Sequence, residues 1–291
     1  WAHYLLGERL DAVSPIIRER MALEVDRRIL TPLFVRDDFF WMGFALRKGQ
    51  ERVNNWNPWI CSNWLSAVLL METDNYRRLA TIHKIMRAVD NFIDHYPADG
   101  GCDEGPSYWG KAGASLFDNL ELFHSASNGQ IDLYAEPLIQ EIGRFVYRAH
   151  IDGDYSYINF ADAPALVYPD GVLVYRYGQR IGDERMMQHG LWLVQRQKLQ
   201  ARGYGANGDI RQNNFQRLLR GLFSLADLPA TPVNPPQVRD VWLPVIEVMV
   251  ARDSGSSAEG FFLGAKGGHN AESHNHNDIG SFLVMKHGEL L

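Results

Sequence analysis

The chain has 291 residues, 46% hydrophobic and 22% charged, with a net charge of −6 at pH 7. That is globular composition, with apolar material for one large or two smaller domains, and the acidic balance disfavours nucleic acid as a partner. No apolar run is long enough to span a bilayer, and two cysteines, Cys61 and Cys102, permit neither a disulfide framework nor a zinc-type cysteine cluster.

Residues 1–230 read as helices. Ala2 to Arg28 carries apolar residues at helical spacing, with Pro15 placed to bend or divide it. Asn63 to Leu70 is strongly apolar, and the pattern continues through Tyr76 to Tyr96 before Asp99-Gly100-Gly101 breaks it. Ser115 to Ser125, Leu133 to His150, Leu173 to Ile181, Glu184 to Lys198 and Asn213 to Ala226 are further helices, parted by loops such as Gly203 to Gly208. This rhythm is that of an array or toroid of helical hairpins. The Pro-rich stretch Leu228 to Pro236 marks a boundary, and residues 237–291 start a second domain. There Asp240 to Arg252, Gly260 to Lys266 and Gly280 to Lys286 read as antiparallel strands. Helices followed by strands make the fold class α+β, multidomain. The final residues resemble a hairpin entering a strand that is cut off, and on that reading the chain is expected to be a piece of a longer protein.

Four polar stretches carry chemistry. Gly267 to Asp278 holds three histidines, three asparagines and two carboxylates, and His274 and His276 share a face if the segment is extended. The bland alternative is a polar hairpin loop. Val53-Asn54-Asn55-Trp56-Asn57-Pro58-Trp59 starts a helix, where Asn and Pro are ordinary, yet three amides and two indoles together also suit a carboxylate and a sugar ring. Asp99 to Gly110 is a bent, glycine-rich loop bearing Asp103, Glu104, Tyr108 and Trp109. Tyr155 to Ala163 reads equally as an aromatic subsite or a packed loop.

A tyrosine, histidines and asparagines in an aromatic setting suit β-elimination on a uronic acid. A phenol with a lowered pKa takes the proton next to the carboxylate and returns one to the leaving oxygen, a histidine partners it, and amides disperse the charge of the enolate. Glu104 with a second carboxylate supports a hydrolase instead. A non-catalytic glycan-binding protein is the third reading.

Asn54-Asn55-Trp56-Asn57, Asp99-Gly100-Gly101 with Glu104-Gly105-Pro106-Ser107-Tyr108-Trp109, and Lys266-Gly267-Gly268-His269-Asn270 with His274-Asn275-His276-Asn277-Asp278 together resemble the heparinase II/III-like polysaccharide lyases. The resemblance implies an (α/α) toroid followed by an antiparallel β-sandwich, truncated here, with the cleft between them. It implies Tyr108 as base and acid, His274 facing it, and Asn54 or Asn55 as the amide that neutralises the uronate. Glu104, Trp56, Trp109 and Asn57 are expected to bind substrate. Trp56 stands where many of the family have a histidine. His276 resembles the first ligand of a structural zinc whose other ligands, an Asp and a His, would lie beyond Leu291; no organic cofactor is implied. The implied partner is an anionic polysaccharide and the implied location the periplasm or the cell exterior; the oligomeric state stays open, a homodimer being one reading. His269 is expected in a loop hydrogen bond, Asp278 in a turn or behind a ligand, and Arg52, Lys111, Arg176 and Arg211 are the candidates for sulfate recognition.

Overall fold

A computed structural model describes residues 1–152, 156–197, 215–255, 257 and 259–291. Tyr155, Arg211, the expected loop at 203–208 and the expected helix ends at Lys198 and Asn213 lie outside the described residues. The chain forms two compact units: Trp1–Tyr96, Ser115–Asp132 and Asn213–Gln216 make one, and Pro97–Ala114, Leu133–Gln212 and Arg217–Leu291 the other.

The first unit is helical. Pro15 divides the expected first helix into α1 (Ala2–Val13) and α2 (Pro15–Val25), with Ser14 extended between them at φ −168°, ψ 128°. Proline is suited to the first position of α2, where its missing N–H costs nothing. A π-helical turn at Asp26–Leu30 leads into α3 (Thr31–Val35). The next helix, α4 (Trp56–Met71), starts seven residues before the expected Asn63, because Pro58 is accommodated in its first turn. Asp74 caps α5 (Asn75–Ile93), its carboxylate accepting the Arg77 N–H at 2.7 Å. Cys61, Trp64, Leu65 and Val68 of α4, Ile85 and Val89 of α5, and Leu116 and Phe117 of α6 (Gly113–Ala126) are all buried. Each large apolar side chain so buried contributes about 1.5–3 kcal/mol.

The second unit combines helices with two sheets. In α7 (Pro137–Arg148), Ile139, Ile142, Phe145 and Val146 line one buried face. Its start, four residues after the expected Leu133, is set by Pro137 following the extended Glu136. Its end leaves His150 to β1 (His150–Asp152), which pairs with β2 (Ser156–Tyr157). The helices α8 (Gly171–Ile181) and α9 (Glu184–Arg196) pack as a hairpin; Asp183 caps α9 and also accepts from Arg144 of α7 at 2.8 Å. A further helix, α10, spans Phe215–Leu225.

The strands β3 (Asp240–Leu243), β4 (Val248–Arg252), β5 (Phe261–Lys266), β6 (Phe282–Lys286) and β7 (Glu289–Leu290) form one antiparallel sheet in chain order. The stretch read as a single strand, Asp240 to Arg252, is a hairpin. Pro244 has no N–H for a ladder, and Glu247 turns the chain at φ 47°. Leu243, Val248, Val250 and Phe262 are buried on one face of the sheet. Trp242, Phe261, Leu263 and Phe282 stand exposed on the other, where the registers Trp242↔Met249 and Phe282↔Ala265 place them together.

The architecture is therefore mixed helix and sheet. Among the described residues no helix is long and apolar enough to cross a membrane. Cys61 in the first unit and Cys102 in the second are both buried, and neither is in a disulfide.

Candidate active site

Three loops of the second unit converge. The first is the bent loop before Tyr108. The buried carboxylate of Asp99 accepts from Gly101 N at 3.0 Å, Val245 N at 2.7 Å and Ile246 N at 3.1 Å, which ties the loop to the β3–β4 turn. Gly105 sits at φ +89°, and a Cβ there would lie 2.5 Å from Ala163 Cβ and from Phe160 O. Only glycine lets the backbone come so close, and the contact sets Glu104 beside the loop that carries Asp162. Tyr108 opens a single 3-10 turn, Tyr108–Gly110. Trp109 anchors that turn: its ring is buried and stacks on Tyr177 with centroids 6.4 Å apart, and its Nε1–H donates to Ile142 O at 2.7 Å.

The second loop is Asn159 to Ala163. Ala161 has φ 48°, and its N–H donates to Asp278 Oδ2 at 2.8 Å. Asp278 thus buttresses two loops, in keeping with the supporting role expected of it.

The third loop joins β5 to β6, so the histidine stretch is indeed a hairpin connection. Its base is braced. Buried Lys266 pairs with Glu272 at 2.8 Å, and Gly267 N and Gly268 N donate to Glu247 O and Glu247 Oε2 at 2.7 and 2.8 Å. His269 makes loop hydrogen bonds, its Nδ1 accepting from Ala271 N at 3.3 Å. The loop is not the extended segment that would have put His274 and His276 on one face: His274 has φ 54° and Asn277 φ 56°. Left-handed backbone costs a β-substituted residue on the order of 1–2 kcal/mol, and such strain gathers where side-chain placement matters.

What that placement achieves is convergence on Asp162. His274 Nδ1 lies 2.6 Å from Asp162 Oδ2, and His276 Nε2 lies 2.6 Å from Asp162 Oδ1. An ionised carboxylate only accepts, so both of these ring nitrogens carry the proton. The other nitrogen of His274, Nε2, is 3.6 Å from Glu104 Oε2, and the Glu104 side chain is buried. Burial pushes the Asp162 carboxyl upward, but hydrogen bonds from His276 and His274 outweigh it and leave Asp162 below the ordinary carboxylate range. Half-buried Tyr108 lies within the field of the same pair of acids. Desolvation first, then the charges of Asp162 and Glu104, raise its phenol above 10.0. This reverses the lowered pKa expected of a tyrosine base: the surroundings of Tyr108 are acidic, and they keep the phenol protonated.

Tyr108, Glu104, His274 and His276, all singled out from sequence, therefore meet in one unit, and Asp162 joins them unannounced. Its only sequence signal was a lone acid in the Tyr155–Ala163 stretch. Glu104, Asp162 and His274 each offer a ligand atom, all within 4.8 Å of one another, and they are the group among the described residues with the donors for a metal ion. His276 stands outside this triad, on the far oxygen of Asp162.

The remaining expected residues belong to the first unit or to packing. Asn57 is fully buried, and its amide donates to Trp41 O at 2.8 Å and Ala88 O at 2.6 Å; like Trp109 it is an anchor, not a group presented to a ligand. Asn54 Oδ1 accepts the N–H of Trp56 at 3.2 Å, and Asn55 is buried as the residue preceding α4. Trp56 is half exposed and leans on Phe40, which also meets the Arg47 guanidinium 3.6 Å from its centroid. Of the candidate cations, Arg52 donates to His95 O, and Lys111 Nζ lies 5.3 Å from the centroid of the Tyr108 ring. No protein-family model matches the chain, and no curated protein matches it, so a functional reading stands on these residues.

Proposed function

We propose that the protein is a polysaccharide lyase of the heparinase II/III-like type, cleaving a uronic-acid polymer by β-elimination. The observation that carries this reading is the Asp162–His274 pair beside a protonated tyrosine. With its Nδ1–H held by Asp162, His274 presents the lone pair of Nε2. That nitrogen takes the proton next to the uronate carboxylate. The electron pair left behind forms the new double bond and expels the glycosidic oxygen, and the Tyr108 phenol donates its proton to that oxygen. Asp162 stabilises the imidazolium so formed, as the acid does in a Ser-His-Asp site. The two roles follow from the charges around each group: Tyr108 is the acid and His274 the base.

The wider reading extends this. The Asn54 and Asn55 amides and the half-exposed Trp56 suit a uronate carboxylate and a sugar ring, and His276 is a ligand to a structural zinc for which Asp162 is an available partner. The exposed row Trp242, Phe261, Leu263 and Phe282 is the face a second sheet of a sandwich would cover. An anionic polysaccharide as substrate fits a periplasmic or secreted protein.

A second reading rests on the closeness of Glu104 and Asp162, a carboxylate pair such as glycoside hydrolases use. Product chemistry separates the two. The protein is incubated with hyaluronan, chondroitin, heparan sulfate and alginate, beside Tyr108→Phe and His274→Ala variants. Ultraviolet absorbance that rises with one polymer and drops at least ~100-fold in both variants is the lyase result. New reducing ends without absorbance establish hydrolysis. Binding without either product establishes a glycan-binding protein.

A further inference from the structure

We propose that Glu104, Asp162 and His274 form a binding site for a divalent first-row transition-metal ion, and that an ion held there switches the elimination off. The site stands on its own geometry; only the switch rests on the lyase reading.

The donor set is the Glu104 carboxylate and the His274 imidazole, with the Asp162 carboxylate behind the imidazole. All-oxygen sites favour calcium or magnesium, whereas an imidazole among carboxylates favours zinc and its neighbours. The spacing agrees. Ligands ~2.0–2.2 Å from a tetrahedral ion stand ~3.4 Å from one another, and Glu104 Oε2 and His274 Nε2 are 3.6 Å apart. The tautomer agrees too. A metal-bound histidine commonly donates its remaining N–H to a carboxylate, which orients the ring and raises the basicity of the ligating nitrogen. His274 already makes that bond to Asp162. Asp162 therefore acts by orienting the ring, Glu104 Oε2 and His274 Nε2 are the direct ligands, and water completes the shell.

The framework is built before any ion arrives. Glu104 is fixed by the approach of Gly105 to Phe160 and Ala163, the Asp162 loop is tied to the histidine loop through Asp278, and His274 holds a left-handed backbone. This constellation differs from a zinc centred on His276, which touches Asp162 from the opposite oxygen. The consequence for catalysis is direct. An ion on Nε2 occupies the lone pair that the base needs, and one on Glu104 fills the space between the acid and the ring.

The test is calorimetric titration of metal-stripped protein with Zn2+, paired with the visible spectrum of the Co2+ form. Glu104→Gln, Asp162→Asn, His274→Ala and His276→Ala are compared, each with its circular dichroism spectrum as a check on folding. The expected result is one ion per chain, with affinity lowered roughly 10- to 100-fold by each of the first three changes and less by His276→Ala. Absence of both binding heat and cobalt spectrum overturns the site. So does affinity that survives His274→Ala but is lost in His276→Ala. The switch is read separately: Zn2+ at saturating concentration abolishes formation of the unsaturated product, and a chelator restores it. Metal binding with no elimination under any condition leaves the site standing and removes both the lyase reading and the switch. Elimination unaffected by bound ion removes the switch alone.

Discussion

Tyr108 and His274 divide the proton work by their surroundings, and the pH dependence of activity is where this shows. The Tyr108 phenol is raised above 10.0. A group that acts as an acid serves while protonated, so the sign runs one way: the Tyr108 contribution is present throughout the neutral range and is lost only as pH rises past its ordinary value. A pH–rate profile with its alkaline limb above 10.0 is expected. A rate that goes on climbing up to 10.0, with no plateau before it, would instead mark Tyr108 as the base. Gly105 makes a second prediction at this scale. Gly105→Ala forces a Cβ onto Phe160 O and Ala163 at positive φ, and is expected to cost about 1–3 kcal/mol in a urea titration and to depress activity as Glu104 moves. Tyr108, His274 and Glu104 were legible as residues because their types are costly in a packed interior. Asp162 was not, because its partner His274 lies 112 residues away and nothing local to Asn159-Phe160-Ala161-Asp162 announces that pairing.

Among elements, the histidine hairpin depends on braces that are themselves loops. Asp278 links Ala161 N to the hairpin, and Glu247, at the β3–β4 turn, holds Gly267 and Gly268. Asp278→Ala removes a charge-assisted hydrogen bond, and ~1.5–3 kcal/mol of local stability is expected to go with it. The reading is amide exchange at Ala161 and through 274–278, faster in the variant while the β5 and β6 amides keep their protection. The elements were legible wherever periodicity ran long, as in α5, α8 and α9. Boundaries moved where proline set them, at Pro58, Pro137 and Pro244, while the division at Pro15 fell where it was expected. The two histidines failed to share an extended face because left-handed backbone at His274, invisible in composition, turns each ring onto its own oxygen of Asp162.

For the molecule as a whole, two buried imidazoles tie stability to acid. Burial first, and the Arg252 guanidinium second, hold His150 down to about 3, and burial followed by the neighbouring His150 holds His189 well below its ordinary value. His150 stays neutral in the fold and gains a proton on unfolding, so its contribution is intact above 6.5 and is lost as pH falls from there toward about 3, and His189 acts in the same direction. His150 accounts for ~1.4 kcal/mol per pH unit in that window. The urea midpoint is expected to fall steeply between about pH 6.5 and about pH 4.5, and a flat midpoint would show that these rings are reached by water.

Cys61 and Cys102 turn the same molecule into its own reporter. Each unit holds one buried thiol, and burial pushes the Cys61 sulfhydryl far from ionisation, so neither meets a reagent until its surroundings open. Mass-resolved labelling would therefore time two separate openings in one chain, without a dye or an engineered residue. Equal rates would mean that the two units open together, and unequal rates would name the one that yields first.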